Sequence, residues 1–150
     1  VLHRPERTEV TLGGRRTFVA RRVSSGQAQN AALALALASE LGVADADLQE
    51  RLARWTPSKW RGELRRLGAA EVYCDFYNAN PASMHDALEA FAAMAPADQA
   101  RLYLIGGMEE LGADSAAYHR RLGEALARLL RAQDRALVLA APEAAEAVVA

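Results

Sequence analysis

The sequence predicts an α/β fold with a parallel sheet, and three observations lead to that prediction. In the second half of the chain, helical segments alternate with short apolar strands, as expected of β-α-β units. Two of these strands, ending at Asp75 and Ile105, run directly into turns rich in polar residues or glycine. The first half of the sequence instead predicts a hairpin followed by helices. A doubly wound sheet normally has more strands than these, so we expect an incomplete sheet.

The composition of the 150 residues is that of a globular protein, with 51% hydrophobic and 25% charged residues. A net charge of −1 gives no basic field for nucleic acid. The single cysteine, Cys74, excludes an internal disulfide and favours a reducing compartment. No apolar run approaches the roughly 20 residues of a membrane span, and no signal peptide is evident. We therefore expect a soluble cytoplasmic protein and, because the chain starts in mid-pattern, a piece of a longer one.

The first element is a predicted hairpin, followed by a long helix. Thr8–Leu12 and Arg16–Ala20 alternate apolar and polar residues around two glycines, which is typical of a structural hairpin with a positive-φ turn. The alanine- and leucine-rich segment Gln27–Leu41 then predicts a helix, with Ser24 or Ser25 as its N-cap and a glycine after its end. Because the segment is apolar nearly all round, we expect this helix to be buried.

Two groups of polar residues near this region are chemically suited to a ligand. Gln27 and Asn30 are three residues apart, so their amides face the same way, although amides in a first turn commonly cap or are solvated. A short helix over Asp45–Trp55 is broken by Thr56–Lys59, which we interpret as a boundary between units 1–57 and 58–150. Arg61 follows, and its guanidinium suits a polyanion, the alternative being a solvated connector.

Leu64–Leu67 and Glu71–Cys74 predict a second strand pair that turns at Gly68-Ala69. The most informative stretch follows the strand that ends in Asp75. Asp75, Asn78 and Asn80 can offer one carboxylate and two amides to a small molecule beyond the carboxyl end of a strand. A proline follows, and a helix is predicted from Ser83 to Met94. The alternative interpretation is an Asn/Pro-rich turn that only caps this helix.

The rest of the chain continues the alternation of strands and helices. Gly106–Gly112 forms a glycine-rich loop that lacks the lysine of a P-loop. His119 lies in a predicted helix, where a lone histidine is more often structural than catalytic. The predicted elements are a compact apolar strand of the parallel-sheet type over Arg101–Ile105, a helix over Ser115–Arg131, a strand over Ala136–Ala140 and a helix from Glu143 to the end.

Three motifs carry a resemblance to a known family. Asp-Phe-Tyr-Asn-Ala-Asn-Pro-Ala-Ser-Met, residues 75–84, resembles a motif of the Mur ligase family, in the version found in members that join D-alanyl-D-alanine to UDP-N-acetylmuramoyl-tripeptide. Gln27-x-x-Asn30 followed by alanines, and the 106–112 loop, resemble two further Mur ligase segments. The departures are Gly26 and Gln27, where the family has histidine and asparagine, and Gly107, where it has aspartate. In addition, Arg61 and Gly62 stand in the reverse order of the family's Gly-Arg.

The resemblance implies a division of roles among the polar residues. The implied nucleotide-binding residues are Asn30, Gln27, Arg61 and Asp75. The implied substrate-binding residues are Tyr77, Asn78, Asn80 and Ser83. No residue of this chain is implied as catalytic or as a metal ligand.

The resemblance also implies a domain arrangement and a reaction. Residues 1–57 would end a central ATP-binding domain, and residues 58–150 would form most of a Rossmann-like C-terminal domain. The implied substrates are ATP, UDP-N-acetylmuramoyl-tripeptide and D-alanyl-D-alanine, with Mg²⁺ held mainly by other parts of a monomeric ligase. Because the P-loop is missing, we expect the chain to be inactive alone. Two alternatives stay open: a degenerate relative that binds a nucleotide or partner without catalysis, and an unrelated Rossmann-like interaction domain.

Overall fold

The computed structural model describes residues 1–150, which form two compact units, Val1–Cys74 and Asp75–Ala150. The strands are β1 (Leu2–His3), β2 (Arg7–Leu12), β3 (Arg16–Arg21), β4 (Arg61–Leu67), β5 (Ala70–Asp75), β6 (Leu102–Gly106) and β7 (Arg135–Leu139). The α-helices are α1 (Ser25–Glu40), α2 (Asp45–Arg54), α3 (Pro81–Met94), α4 (Ser115–Leu129) and α5 (Pro142–Val149). The predicted α/β class is confirmed. The domain boundary placed at residue 57 stays a prediction.

The first unit begins with an antiparallel sheet in the order β1-β2-β3. The predicted hairpin is confirmed, because Gly13 and Gly14 have φ of 56° and 68° and join β2 to β3 in full register. These positive φ values match the twist of a two-residue hairpin turn and are open to glycine at little steric cost. Helices α1 and α2 cover one face of this sheet, and their shared core consists of Val10, Phe18, Ala20, Leu35, Leu48 and Leu52.

The expectation that α1 is buried all round is wrong. Only Ala28 and Leu35 are buried in this helix, whereas Leu33, Leu37 and Leu41 are 72%, 64% and 76% exposed. The reason is that β2 and α2 pack against one side of α1 only. The opposite side therefore carries exposed leucines despite its apolar sequence.

The predicted strand pair that turns at Gly68-Ala69 is confirmed. β5 pairs with β4 in a separate two-stranded sheet, not with the parallel strands β6 and β7. The two strands are connected only by Gly68-Ala69, a link short enough for an antiparallel hairpin and too short for a parallel crossover. Local hairpin formation thus decides the partner of β5.

The second unit contains the parallel pair β6-β7, in which Tyr103 lies opposite Ala136 and Ile105 opposite Val138. Helices α3, α4 and α5 contribute to one core with the buried face of this sheet. That core consists of Leu88, Tyr103, Ile105, Met108, Leu122, Ala125, Leu126 and Val148. A single layer of helices on a parallel sheet is therefore the architecture of this unit.

β6 is a strand of the predicted parallel type, and only one of its faces is buried. Tyr103 and Ile105 are 3% and 5% exposed, but Leu102 and Leu104 are 59% and 62% exposed. The alternation arises because successive strand residues point to opposite faces and the helical core residues meet only one of them.

An ion-pair cluster joins the start of β6 to the segment before β7. Asp134 accepts hydrogen bonds from the Arg101 backbone N–H at 2.9 Å, from its Nε at 2.9 Å and from its Nη2 at 2.6 Å. Arg131 adds its backbone N–H at 2.8 Å and its Nη2 at 3.2 Å. The side chains of Arg101 and Asp134 are 6% and 0% exposed, so this is a buried, charge-assisted network.

Helices α4 and α5 cross at a single glycine. A Cβ atom added to Gly123 would lie 1.9 Å from the Val148 carbonyl oxygen and 2.7 Å from its carbonyl carbon. Only the absence of a side chain at this position allows the two backbones to approach so closely. None of the helices has the length and apolarity required to cross a membrane.

Candidate functional site

The turn between Asp75 and α3 is shaped by the cap of that helix. Asn80 is the N-cap: its Oδ1 accepts the Ser83 backbone N–H at 2.9 Å, and Ser83 Oγ accepts the Asn80 N–H at 3.1 Å. Pro81 occupies the first helical position, where its missing N–H would be unpaired in any case. The Asn-Pro-x-Ser part of the motif is thus a reciprocal capping box. The structure therefore shows a capping role for Asn80 and Ser83, and their role in ligand binding stays a prediction.

The residues before the cap present a more open surface. Asn78 Oδ1 accepts the backbone N–H of Ala79 at 2.9 Å, which tightens the turn. Phe76 and Tyr77 are 63% and 60% exposed, whereas Asp75, at the end of β5, is half-buried. The structure therefore brings Asp75, Tyr77 and Asn78 together on one short turn. This places a carboxylate, a phenol and an amide where a polar small molecule could contact them.

The amino end of α1 uses Gln27 in two local hydrogen bonds. Ser24 and Gln27 form a capping box in which Ser24 Oγ accepts the Gln27 N–H and Gln27 Oε1 accepts the Ser24 N–H, each at 3.3 Å. The other end of the same amide, Nε2, donates to the Arg61 carbonyl oxygen. The structure thus brings two of the four predicted nucleotide-binding residues, Gln27 and Arg61, into contact through the Arg61 backbone. Asn30 lies one turn further along α1 and is exposed.

The chain around Arg61 is sharply bent. Trp60 has φ of 62°, in the left-handed region that non-glycine residues rarely adopt, and its N–H donates to Glu63 Oε2 at 3.2 Å. The Lys59 ammonium lies 4.2 Å from the centre of the Trp60 ring. Gly62, with φ of 73°, continues the bend and lies against the Gln27 amide. The backbone at the start of β4 is thereby fixed against the first turn of α1.

We expect Gly62→Ala to destabilise the first unit by more than the backbone strain alone. A left-handed conformation costs an alanine about 1–2 kcal/mol. At this site the new Cβ would also lie 2.7 Å from Gln27 Nε2 and 2.9 Å from the Tyr73 hydroxyl, so the Gln27–Arg61 bond must be displaced. Urea unfolding of the chain measures the effect.

Gly68→Ala is the matched control, because Gly68 has φ of 60° and nothing within 4 Å of an added Cβ. It introduces similar strain without the contact with Gln27. Equal losses of unfolding free energy in the two variants would contradict a structural role for the Gln27–Arg61 contact.

The glycine-rich loop lies at the carboxyl end of β6. Its Met108 side chain is buried in the core of the second unit, while Glu109 and Glu110 are exposed. Gly107 lies close to the end of β7, since an added Cβ would be 3.1 Å from the Ala140 Cβ. His119 of α4 is fully buried, as the structural interpretation of this histidine predicted. Sequence reasoning missed that His119 Nε2 accepts the backbone N–H of Met108 in this loop, at 3.0 Å.

No group of three or more His, Cys, Asp or Glu side chains could hold a metal ion in this chain. The Asp75 turn provides one carboxylate, and the glycine-rich loop provides those of Glu109 and Glu110. The residues present therefore do not fit a Mg²⁺ site of their own.

Residues 60–149 match the sequence profile of the family described as "Mur ligase, glutamate ligase domain". The chain belongs to the Mur ligase family. This excludes the alternative of an unrelated Rossmann-like interaction domain. The Mur ligase match begins at Trp60 and so includes the Asp75 turn, the cap of α3 and the glycine-rich loop.

Two relatives with named activities are similar to this chain. It is 42% identical over 65 residues to the UDP-N-acetylmuramoyl-tripeptide–D-alanyl-D-alanine ligase of Rickettsia prowazekii, over 43% of this chain and 14% of that protein. It is 36% identical over 108 residues to the corresponding ligase of Mycobacterium bovis, over 69% of this chain and 21% of that protein. The chain thus spans about a seventh to a fifth of the length of these relatives.

Two solved structures share the fold. MurF from Acinetobacter baumannii is 27% identical, with a TM-score of 0.74 over 89% of this chain and 28% of that one. MurF ligase from Thermotoga maritima in complex with ADP is 20% identical, with a TM-score of 0.65 over 95% of this chain and 44% of that one. The second likeness supports the fold alone.

Proposed function

We propose that this chain is part of an ATP-dependent ligase that adds D-alanyl-D-alanine to UDP-N-acetylmuramoyl-tripeptide, a step in peptidoglycan precursor synthesis. The observation that carries the proposal is the turn from Asp75 to Asn80, which holds a half-buried carboxylate beside exposed Tyr77 and Asn78. The relatives named for this reaction support it. The reaction would take place in the cytoplasm, where its substrates would be available to a monomeric ligase.

The proposed roles follow the chemistry of each group. Asp75 would accept hydrogen bonds from ribose hydroxyls, Arg61 would contact the nucleotide's phosphates with its permanently charged guanidinium, and Asn30 would contact the adenine. Tyr77, Asn78, Asn80 and Ser83 would shape the site of the incoming dipeptide.

The chain would act by positioning reactants. ATP would convert the tripeptide carboxylate to an acyl phosphate, and the dipeptide amine would then displace phosphate to form the amide. Correct placement of the reactants lowers the activation barrier, because their translational and rotational entropy has already been lost on binding. We propose that Mg²⁺ is held mainly by other parts of the ligase. The chain alone would accordingly be inactive.

The test is phosphate release from ATP by the complete ligase that contains this chain, with UDP-N-acetylmuramoyl-tripeptide and with or without D-alanyl-D-alanine. We expect release to require the dipeptide and to fall at least about tenfold in Asp75→Ala and Asp75→Asn, since each removes a charged hydrogen-bond acceptor. Asp98→Ala, at an exposed position between α3 and β6, is the control and should keep full activity. Absence of release from a well-folded wild-type ligase would refute the proposal.

A second candidate is a degenerate relative that binds a nucleotide or a partner without catalysis. Gln27 favours it, because both ends of its amide are already engaged by Ser24 and Arg61. Gly26 and Gly107 are further departures from the family motifs. Nucleotide binding without dipeptide-dependent phosphate release would support this candidate over the ligase.

A further inference from the structure

The fully buried His119 makes two hydrogen bonds to backbone groups of the second unit. Its Nε2 lies 3.0 Å from the Met108 backbone nitrogen, and its Nδ1 lies 2.8 Å from the Ser115 carbonyl oxygen. Ser115 is the first residue of α4, whereas Met108 belongs to the glycine-rich loop after β6. One side chain therefore connects the start of a helix to the middle of a loop.

The partners fix the state of the imidazole. A backbone N–H can only donate, so Nε2 must accept from Met108. A carbonyl oxygen can only accept, so Nδ1 must carry the proton that it donates to Ser115. The ring is therefore a neutral imidazole in one tautomer, with both nitrogens used by the protein and neither exposed to solvent.

The loop bound by His119 has a backbone that needs support. Glu110 and Gly112 both have φ of 60°, and a left-handed Glu110 is strained. Gly107 lies close to the imidazole, since a Cβ added to it would be 3.9 Å from His119 Nε2. The Met108 side chain is 5% exposed and anchors the loop from the core side. The hydrogen bond from the Met108 backbone N–H to His119 therefore fixes the backbone between Gly107 and the left-handed Glu110.

The position of the glycine-rich loop in the fold connects the Met108–His119 hydrogen bond to function. The loop follows β6 at the carboxyl end of the parallel pair, which is the edge where α/β sheets bind ligands. We propose that His119 is a positioning residue that holds the glycine-rich loop in the backbone conformation required for substrate binding. This inference rests on the proposed ligase function and adds a residue that acts on the glycine-rich loop through Met108.

Two amide substitutions separate the two hydrogen bonds. The longer side chain of His119→Gln can place its oxygen near the position of Nε2 and still accept from Met108. The shorter side chain of His119→Asn reaches the position of Nδ1, so it can keep the bond to Ser115 and not the one to Met108. Each variant loses one bond of similar strength, and we expect similar losses of thermal stability.

The first measurement is NMR of the 150-residue chain. Ring ¹⁵N shifts should show the Nδ1–H tautomer, and the Met108 amide should exchange slowly with solvent in the wild type and in His119→Gln. In His119→Asn its exchange should be at least about tenfold faster. The Nε2–H tautomer, or equal loss of Met108 protection in both variants, would overturn the proposal.

The second measurement is steady-state kinetics of the complete ligase. We expect kcat/KM for D-alanyl-D-alanine to fall at least about tenfold in His119→Asn and to stay within about threefold of wild type in His119→Gln. Equal falls in the two variants would mean that His119 contributes packing only, and would overturn the positioning role. An inactive wild-type ligase would refute the proposed function, and the NMR comparison would then still decide whether His119 holds the loop.

Discussion

Asp134→Asn is expected to lower the Tm of the chain by about 10 °C or more, because it disrupts a buried ion pair at its centre. Asp134 receives hydrogen bonds from Arg101 and Arg131, and the Arg101 side chain is 6% exposed. An amide carries no charge, and its NH₂ group would face guanidinium donors. The substitution therefore leaves Arg101 buried without its counter-charge.

Thermal unfolding followed by circular dichroism measures this effect. Asp98→Asn is the matched control, because it makes the same chemical change at an exposed position. It should change Tm by no more than about 2 °C, as surface substitutions usually do. Similar Tm values for the two variants would show that the Asp134 network adds nothing to stability.

The pH dependence of the same variant gives an independent check. Hydrogen bonds from Arg101, with a smaller contribution from Arg131, hold the pKa of Asp134 well below its ordinary value of 3.8, against the opposing effect of burial. A carboxylate whose folded-state pKa is depressed stabilises the fold fully above its unfolded pKa, and this stabilisation is lost as the pH falls further. The Tm difference between wild type and Asp134→Asn should therefore be constant from pH 7 to pH 5 and shrink below about pH 4. If the Tm difference stayed constant down to pH 2, the ionised Asp134 carboxylate could not be the source of this stabilisation.

Gly123→Ala is expected to destabilise the second unit although it improves the intrinsic helix propensity of α4. In an exposed helix this change would stabilise by about 1 kcal/mol. Here the new Cβ would lie 1.9 Å from the Val148 carbonyl oxygen, so α5 must move away from α4. We expect a net loss of about 1–3 kcal/mol in the free energy of unfolding, which is typical of overpacking.

Urea unfolding and amide hydrogen exchange test the sign and the location of this effect. Exchange in α5 should become faster, because Ala147 and Val148 lose their burial against α4. Glu124→Ala, at the next and exposed position of α4, is the control and should leave exchange in α5 unchanged. A stabilised Gly123→Ala variant would show that the two helices are not held in close contact.

The elements that were predicted correctly are those encoded by residues a few positions apart. The Gly13-Gly14 hairpin, the Ser24 cap of α1 and the turn before α3 depend on backbone preferences and side chain–backbone hydrogen bonds within one turn. The family motif around Asp75 is equally local. Nothing distant is needed to identify such features, because the energies that select them act within the segment.

Tertiary structure decided which faces are covered and which distant groups meet. The sequence of α1 is apolar all round, yet its exposure depends on β2 and α2 packing against only one side. Arg101 and Asp134 lie 33 residues apart, and Gln27 and Arg61 lie 34 apart. The close approach of Val148 to Gly123 likewise joins residues that are far apart in the sequence.

The sequence by itself thus determined the α/β class, the caps and turns, and the chemical groups of the candidate site. The fold alone determined that Gln27 is hydrogen-bonded to the Arg61 backbone and that His119 binds the glycine-rich loop. The physical reason is that local conformational preferences are properties of short segments. Burial and long-range pairing instead depend on the path of the whole chain, which brings each segment its neighbours.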